Sequence, residues 1–340
     1  MNKLIERFKN YRKRKYLTTI NEKGYAFVGL GMHSLNNLLP VISYLRLNLK
    51  YIVTKSSKNA KLIDEAFPNS MGTNDIDKVL GDNHISGIFI SSNPLSHYEI
   101  VKKALKANKN VFVEKPPCTS LEELEDLIEI EKKSEGTCVV GLQKQYAPFI
   151  QHLKKDFKNS SYNYRFVTGS YPEGDACLDL YIHPLSLVFF LFGPLESCNI
   201  IKTKNMETVF LQFVHSNKSI GTLELSTSYS WQNATEKLII NTPRKIYEIT
   251  DSEELTYVSK SRNMFNIPVE KIWSPVNKNI VLQKRNNFNS VLQNNQLYSN
   301  GYFTEIETFI NICECREAAN NSTLSSCLET YKLIDKIKNM

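Results

Sequence analysis

The chain of 340 residues lacks any apolar run long enough to cross a bilayer; the nearest candidate, 178–192, is broken by Asp179, His183 and Pro184. Its first residues, MNKLIERFKNYRKRKY, lack the apolar core of a secretory signal. Cysteine is sparse: seven in all, an odd number, with no CxxC, and no histidine pair stands at zinc spacing. That pattern excludes a disulfide scaffold and implies no metal site. The expectation is reduced thiols in a cytoplasmic protein. With only 13 glycines and 12 prolines, collagen-like and low-complexity architectures are excluded too.

Hydrophobic residues make up 41% and charged residues 23%, the balance of a globular chain, and the length suits two domains. The net charge of +7 is unevenly spread. Residues 1–16 hold seven cations (Lys3, Arg7, Lys9, Arg12, Lys13, Arg14, Lys15) against Glu6, a net of +6, which leaves +1 for the remaining 324 residues. A nearly neutral body is no nucleic-acid surface. The basic extension, residues 1–22, puts Leu4, Ile5, Phe8 and Tyr11 on one helical face. It is expected to pack on the body or fray; the sharper alternative is an anchor for an acidic partner or an anionic membrane surface.

From residue 23 to 143, short apolar runs alternate with helical periodicity. Strands are expected at 25–30, 49–54, 87–91, 110–113 and 137–141, and helices at 34–45, 58–67, 75–80, 96–108 and 119–136. Such alternation demands an α/β domain, a doubly wound parallel sheet with right-handed crossovers. Residues 144–340 read as α+β. A helix at 148–157 and an apolar helix at 175–192 accompany period-2 runs at 164–170, 198–203, 208–214, 219–227, 237–240 and 245–249, which predict a mostly antiparallel sheet. Residues 259–300 read as loop with short elements, and helices close the chain at 302–315 and 324–337.

The first strand runs into Gly29-Leu30-Gly31-Met32-His33-Ser34, a G-x-G-x-x-S turn opening a helix. Gly29 permits the tight turn, Gly31 lets a diphosphate approach the backbone, and the helix start offers N–H groups and positive potential. A dinucleotide is the expected ligand. NAD sites place a carboxylate after the second strand. Here Thr54-Lys55-Ser56-Ser57 follows, and no carboxylate appears before Asp64, so a 2′-phosphate and NADP are favoured over NAD.

The fifth strand ends in Glu114-Lys115-Pro116-Pro117. Ligands of open α/β sheets bind at such carboxyl ends, so Lys115 is poised there, with Glu114 beside it to pair with the lysine or with a cofactor hydroxyl. In the second domain Asp179 and His183 stand four residues apart, on one face of an otherwise apolar helix. A histidine there can pass a carbinol proton while the carboxylate orients it.

These residues resemble the glucose–fructose oxidoreductase / inositol dehydrogenase (Gfo/Idh/MocA) family. The runs FVGLG, ISGIFISSNPLSHYEIVKKALKANKNVFVEKPP, LEELEDLIEIEKKSEGTCVVGLQKQYAP and GDACLDLYIHPLSLVFFLFG carry the resemblance over about residues 24–193. It implies an N-terminal Rossmann domain, a C-terminal domain with a large open sheet, a nicotinamide cofactor, and sugar, cyclitol or nucleotide-sugar substrates. By position Lys115 matches the family's substrate-binding, catalytic lysine, His183 its acid/base histidine and Asp179 the aspartate one turn before. Ser92, Asn93 and His97 fall beside the cofactor, and Gln143 and Tyr146 at the substrate. The chain departs from the family at Ser34, at Gln145 where an arginine is common, in the basic extension and in 259–300. By the same resemblance the open sheet implies homodimers or homotetramers.

The expected function is therefore an NAD(P)-dependent dehydrogenase or reductase acting on a CH–OH group of a small molecule. Alternatives are reduction of a C=N or C=O bond in a non-sugar metabolite, and a dinucleotide-binding sensor without turnover.

Overall fold

The computed structural model describes residues 2–18, 21–153, 157–261, 263–265, 267–273, 278–286, 288 and 291–339. Parts of the expected 148–157 helix and of the 259–300 segment lie outside them. The chain forms two compact units, each discontinuous in sequence: Met1–Val113, Glu129–Val139 and Ile306–Asn320 make the first; Glu114–Ile128, Val140–Glu305 and Asn321–Met340 make the second.

The first sheet contains β1 (Gly24–Val28), β2 (Asn48–Val53), β3 (Met71–Thr73), β4 (Ile85–Ile90), β5 (Asn110–Glu114) and β6 (Cys138–Gly141), in the order β3-β2-β1-β4-β5-β6. The pairs β1–β2, β1–β4, β2–β3 and β4–β5 are parallel. Every residue of β1 is buried, as a strand covered on both faces requires. Phe89 of β4 packs edge-on against Phe309 of the helix Tyr302–Cys313, with ring centroids 4.9 Å apart, so a segment near the chain's end completes this core. The three-residue β3 is too short to show a hydrophobic period and was not among the expected strands.

Helix starts follow local chemistry. The Ser120 hydroxyl accepts from the Glu123 N–H at 3.2 Å, and the Glu123 carboxylate accepts from Thr119 N at 2.7 Å, a reciprocal cap that starts Leu121–Glu131. The helix stops short of the expected 136; Glu131 instead accepts from Cys138 N at 2.7 Å. Two expected α-helices begin as wider π turns. Ser34–Leu38 precedes the α-helix Leu39–Tyr44, and Cys177–Tyr181 precedes Ile182–Phe192. Pro40 and Pro184 explain both: a proline has no N–H for the carbonyl four back and its ring crowds that carbonyl, which a widened turn relieves.

The second sheet has eight strands: β7 (Ser161–Val167), β8 (Leu195–Lys202), β9 (Thr208–His215), β10 (Ile220–Ser226), β11 (Thr235–Asn241), β12 (Lys245–Thr250), β13 (Glu254–Ser259) and, at one edge, Asn279–Lys284. β7 and β10 run parallel in its middle, and the other adjacent pairs are antiparallel. Tyr162, Tyr164, Leu211, Phe213, Leu223 and Leu225 point to the covered face, where the Phe192 ring stacks on Tyr162 at 4.1 Å. The alternate residues Asn163, Gln212 and Thr222 are exposed, so one face of the sheet is open. The strand Asn279–Lys284 falls in the segment expected to be mostly loop. Its sequence, NIVLQK, pairs as an exposed edge, where a buried alternation is not required.

The basic extension is a helix, Asn2–Thr18, whose side chains from Lys3 to Arg14 are all exposed. Over those residues the extension is therefore not packed on the body. Among the described residues no helix is long and apolar enough to cross a membrane.

Candidate active site

In the first unit, the ends of β1 and β4 meet at the point where strand order reverses. Gly29 has φ +88°, and a Cβ on it would stand 2.5 Å from Ser91 O and 2.6 Å from Ser92 Cα. Only glycine serves there, by conformation and by space. A Cβ on Gly31 would meet nothing within 4 Å, and Met32 and His33 are exposed, so the turn presents open backbone to a ligand. The residues present therefore fit a dinucleotide diphosphate.

Ser34, expected at the cofactor, is instead fully buried: its hydroxyl donates to Ser91 Oγ at 2.9 Å and ties the start of the helix to the end of β4. His97 is likewise buried, and its Nε2–H donates to Ser92 O at 3.0 Å. A carbonyl can only accept, so the ring holds the loop's backbone. Asn93 caps the short Pro94–Ser96 turn by accepting from Leu95 N at 3.0 Å, and Ser92 shares a 2.8 Å hydrogen bond with Ser96. These three side chains shape the loop.

After β2, Ser56 is the N-cap of Ser57–Ala66, its hydroxyl accepting from Asn59 N at 3.2 Å, and Thr54 donates to Ser56 O at 3.2 Å. Lys55 and Ser57 are exposed. The first carboxylate beyond the strand, Asp64, accepts from Gly72 N at 2.7 Å.

The second unit brings together Lys115, Asp179 and the helical run carrying His183. Lys115 Nζ donates to the main-chain oxygen of Asp179 at 2.5 Å. Burial pushes its ammonium below the ordinary lysine range; Glu114 and Asp179 oppose that shift, and the nearby Lys144 adds to it. The Asp179 carboxylate accepts from the Tyr171 hydroxyl at 3.3 Å, and burial, then that carboxylate's charge, pushes the phenol up to about 12. Asp179 lies in the π turn and His183 in the α-helix after it. The expected simple one-turn stacking is therefore modified by the wider turn. Glu114 is buried, its carboxylate 2.9 Å from where a Cβ on Gly141 would stand.

Tyr146, expected at the substrate, is a core residue. It is 1% exposed, and its hydroxyl bonds Ser322 Oγ at 2.9 Å and accepts from Asn321 N at 3.1 Å. Gln143 opens the short turn Gln143–Tyr146 and is half-buried.

Sequence reasoning missed three residues of this unit. Lys144 forms a mostly buried ion pair with Glu236, which also accepts from the Tyr164 hydroxyl, and the Lys144 ammonium lies 5.1 Å from the Phe166 ring centre. Tyr171 was missed because its link to Asp179 is tertiary. Glu305 is fully buried, and burial, then repulsion from Glu114, holds its carboxyl well above the ordinary range. In the sequence it is one of two acids, with Glu307, on a largely apolar helix, and nothing there separates the buried one from the other. Among the described residues no group of three or more His, Cys, Asp or Glu could hold a metal ion.

Residues 23–142 match the oxidoreductase family with an NAD-binding Rossmann fold. An inositol 2-dehydrogenase/D-chiro-inositol 3-dehydrogenase of Lactiplantibacillus plantarum is 32% identical over 99 residues, 29% of this chain and 28% of that protein. The matched part of the chain spans 39%, 53% and 57% of the length of three curated oxidoreductases. In fold, a dehydrogenase from Chromobacterium violaceum superposes with a TM-score of 0.79 at 19% identity, over 94% of this chain and 95% of that one. A levoglucosan dehydrogenase in complex with NADH and levoglucosan superposes with a TM-score of 0.77 at 13% identity, over 93% and 96%. The match to the Gfo/Idh/MocA oxidoreductase family thus extends over residues 23–142 of the 340-residue chain.

Proposed function

We propose that this protein is an NAD(P)-dependent dehydrogenase or reductase that interconverts a carbinol and a carbonyl on a polyhydroxylated, sugar-like substrate. The observation that carries the reading is the contact of Lys115 Nζ with Asp179 O, which sets a partly buried ammonium on the same helical run as His183. The inositol dehydrogenase relative and the levoglucosan complex support a polyol substrate.

Gly29 and Gly31 would hold the diphosphate, and Lys55 with Ser57 the far ribose. Bound there, the nicotinamide supplies hydride transfer. Lys115 donates a hydrogen bond to the reacting oxygen and favours negative charge on it. His183 takes the hydroxyl proton in oxidation and returns it in reduction. Asp179, steadied by Tyr171, orients the imidazole or holds an adjacent substrate hydroxyl. With exposed Lys55 and no carboxylate released for a ribose 2′-hydroxyl, NADP is the favoured cofactor.

The open sheet face exposes the cross-strand pair Ile201 and Phe210, which supports face-to-face dimers or tetramers. Seven cysteines without a disulfide fit a reducing, cytoplasmic setting.

The test is turnover on a panel of polyols and sugars with each cofactor. His183→Asn should lower kcat about 10²- to 10⁴-fold while dinucleotide binding is kept. Dinucleotide binding with no turnover on any alcohol, ketone or imine would replace this reading with that of a sensor.

A further inference from the structure

The helix Asn2–Thr18 carries an uncovered apolar stripe. At 100° per residue Leu4, Ile5, Phe8 and Tyr11 fall within about one third of its circumference. Leu4, Phe8 and Tyr11 are 72%, 59% and 66% exposed. Apolar surface left in water is unfavourable, so such a stripe calls for a cover. Around it stand seven cations against the single anion Glu6 within residues 1–16. Arg12 continues the stripe by one turn, its guanidinium 5.7 Å from the centre of the Phe8 ring.

The charge balance narrows the cover. The remaining 324 residues carry only +1, and a second copy of the helix would set +6 against +6. The occupant must therefore be anionic. It must also admit large apolar side chains to some depth. A nucleic acid or an acidic peptide offers charge without that depth, whereas the headgroup–acyl boundary of an anionic bilayer offers both.

We infer that Asn2–Thr18 docks flat on an anionic lipid surface. Leu4, Ile5, Phe8 and Tyr11 enter the boundary, and the flanking lysines and arginines meet the headgroups. The helix is about 25 Å long at 1.5 Å per residue and charged throughout, so it lies in the plane and does not span. The inference does not rest on the catalytic reading.

The experiment sediments the full chain with phosphatidylcholine vesicles and with vesicles that also contain phosphatidylserine. Binding is expected only to the second kind and should fall steeply with added salt. Each Lys→Gln change among Lys9 and Lys13 should weaken it about fivefold. The charge-neutral double variant Leu4→Ser, Phe8→Ser should weaken it at least about tenfold. A chain lacking residues 1–20 should stay in solution while still binding dinucleotide. No binding to either vesicle, or binding that survives the deletion, overturns the inference. So does equal binding by the wild type and the double serine variant, with matching capture on polyglutamate, since that describes adsorption to any polyanion.

Discussion

Lys115 donates to the main-chain oxygen of Asp179, not to its carboxylate. The ammonium thus meets a neutral acceptor on the helix backbone. One of its three protons is used, and its charge is not cancelled by a directly bonded carboxylate at that contact.

Removal of this group should separate chemistry from binding. Lys115→Ala is expected to lower kcat about 10²- to 10³-fold, the usual cost of losing a donor to a developing oxyanion. Dinucleotide affinity should be unchanged, because Gly29 and Gly31 lie on another segment. Burial sets the Lys115 ammonium below the ordinary lysine range, so activity should decline with rising pH earlier than an exposed lysine would allow. Lys144→Met removes a like charge and should move that decline to higher pH. Full activity in Lys115→Ala would remove the residue from the reaction.

Tyr146 should matter to stability and not to the substrate. Its hydroxyl joins Ser322 and Asn321 in the core, and Tyr146→Phe leaves them without that partner. A loss of about 1–3 kcal/mol in urea unfolding is expected, with KM unchanged. A raised KM at wild-type stability would return the residue to the substrate site.

Cofactor choice should turn on Lys55. A Lys55→Glu variant should weaken NADP binding about tenfold through lost attraction to the 2′-phosphate and affect NAD far less. Fluorescence titration of both cofactors measures this. A wild type that prefers NAD would show that the loop after β2 does not read a phosphate.

Glu305 links stability to pH. Its folded carboxyl is held well above the ordinary glutamate value of about 4.5 by burial and by Glu114. Below about that value both folded and unfolded chains hold the proton and nothing is lost. As pH rises towards the folded pKa the unfolded chain gives up the proton first, and the native state loses stability at up to about 1.4 kcal/mol per pH unit. Glu305→Gln does not titrate, so its stability relative to the wild type should grow from pH 5 to pH 8. A difference that stays constant across that range refutes the buried-acid account.

Much of the first unit was legible in the chain. Buried parallel strands are continuous apolar runs, and the turn after β1 announces itself through Gly29 and Gly31. The expected roles of Ser34, His97 and Tyr146 shifted because a polar side chain reads the same in sequence whether it faces a ligand or bonds a neighbour such as Ser91, Ser92 or Ser322. The edge strand Asn279–Lys284 was illegible for a related reason: an exposed edge imposes no alternation.

By itself the sequence determined most of the alternation of strands and helices in the first unit, the glycine turn after β1, the positions of Lys115, Asp179 and His183, and the concentration of charge in the first 16 residues. These depend on periodicity, spacing and residue chemistry, all local properties. Only the tertiary structure decided that Lys115 bonds the Asp179 carbonyl, that Lys144 pairs with Glu236 across 92 residues of chain, and that Phe309 closes the core around Phe89. Such contacts join residues distant in sequence, and which distant groups meet is set by packing of the whole core, not by any short stretch of chain.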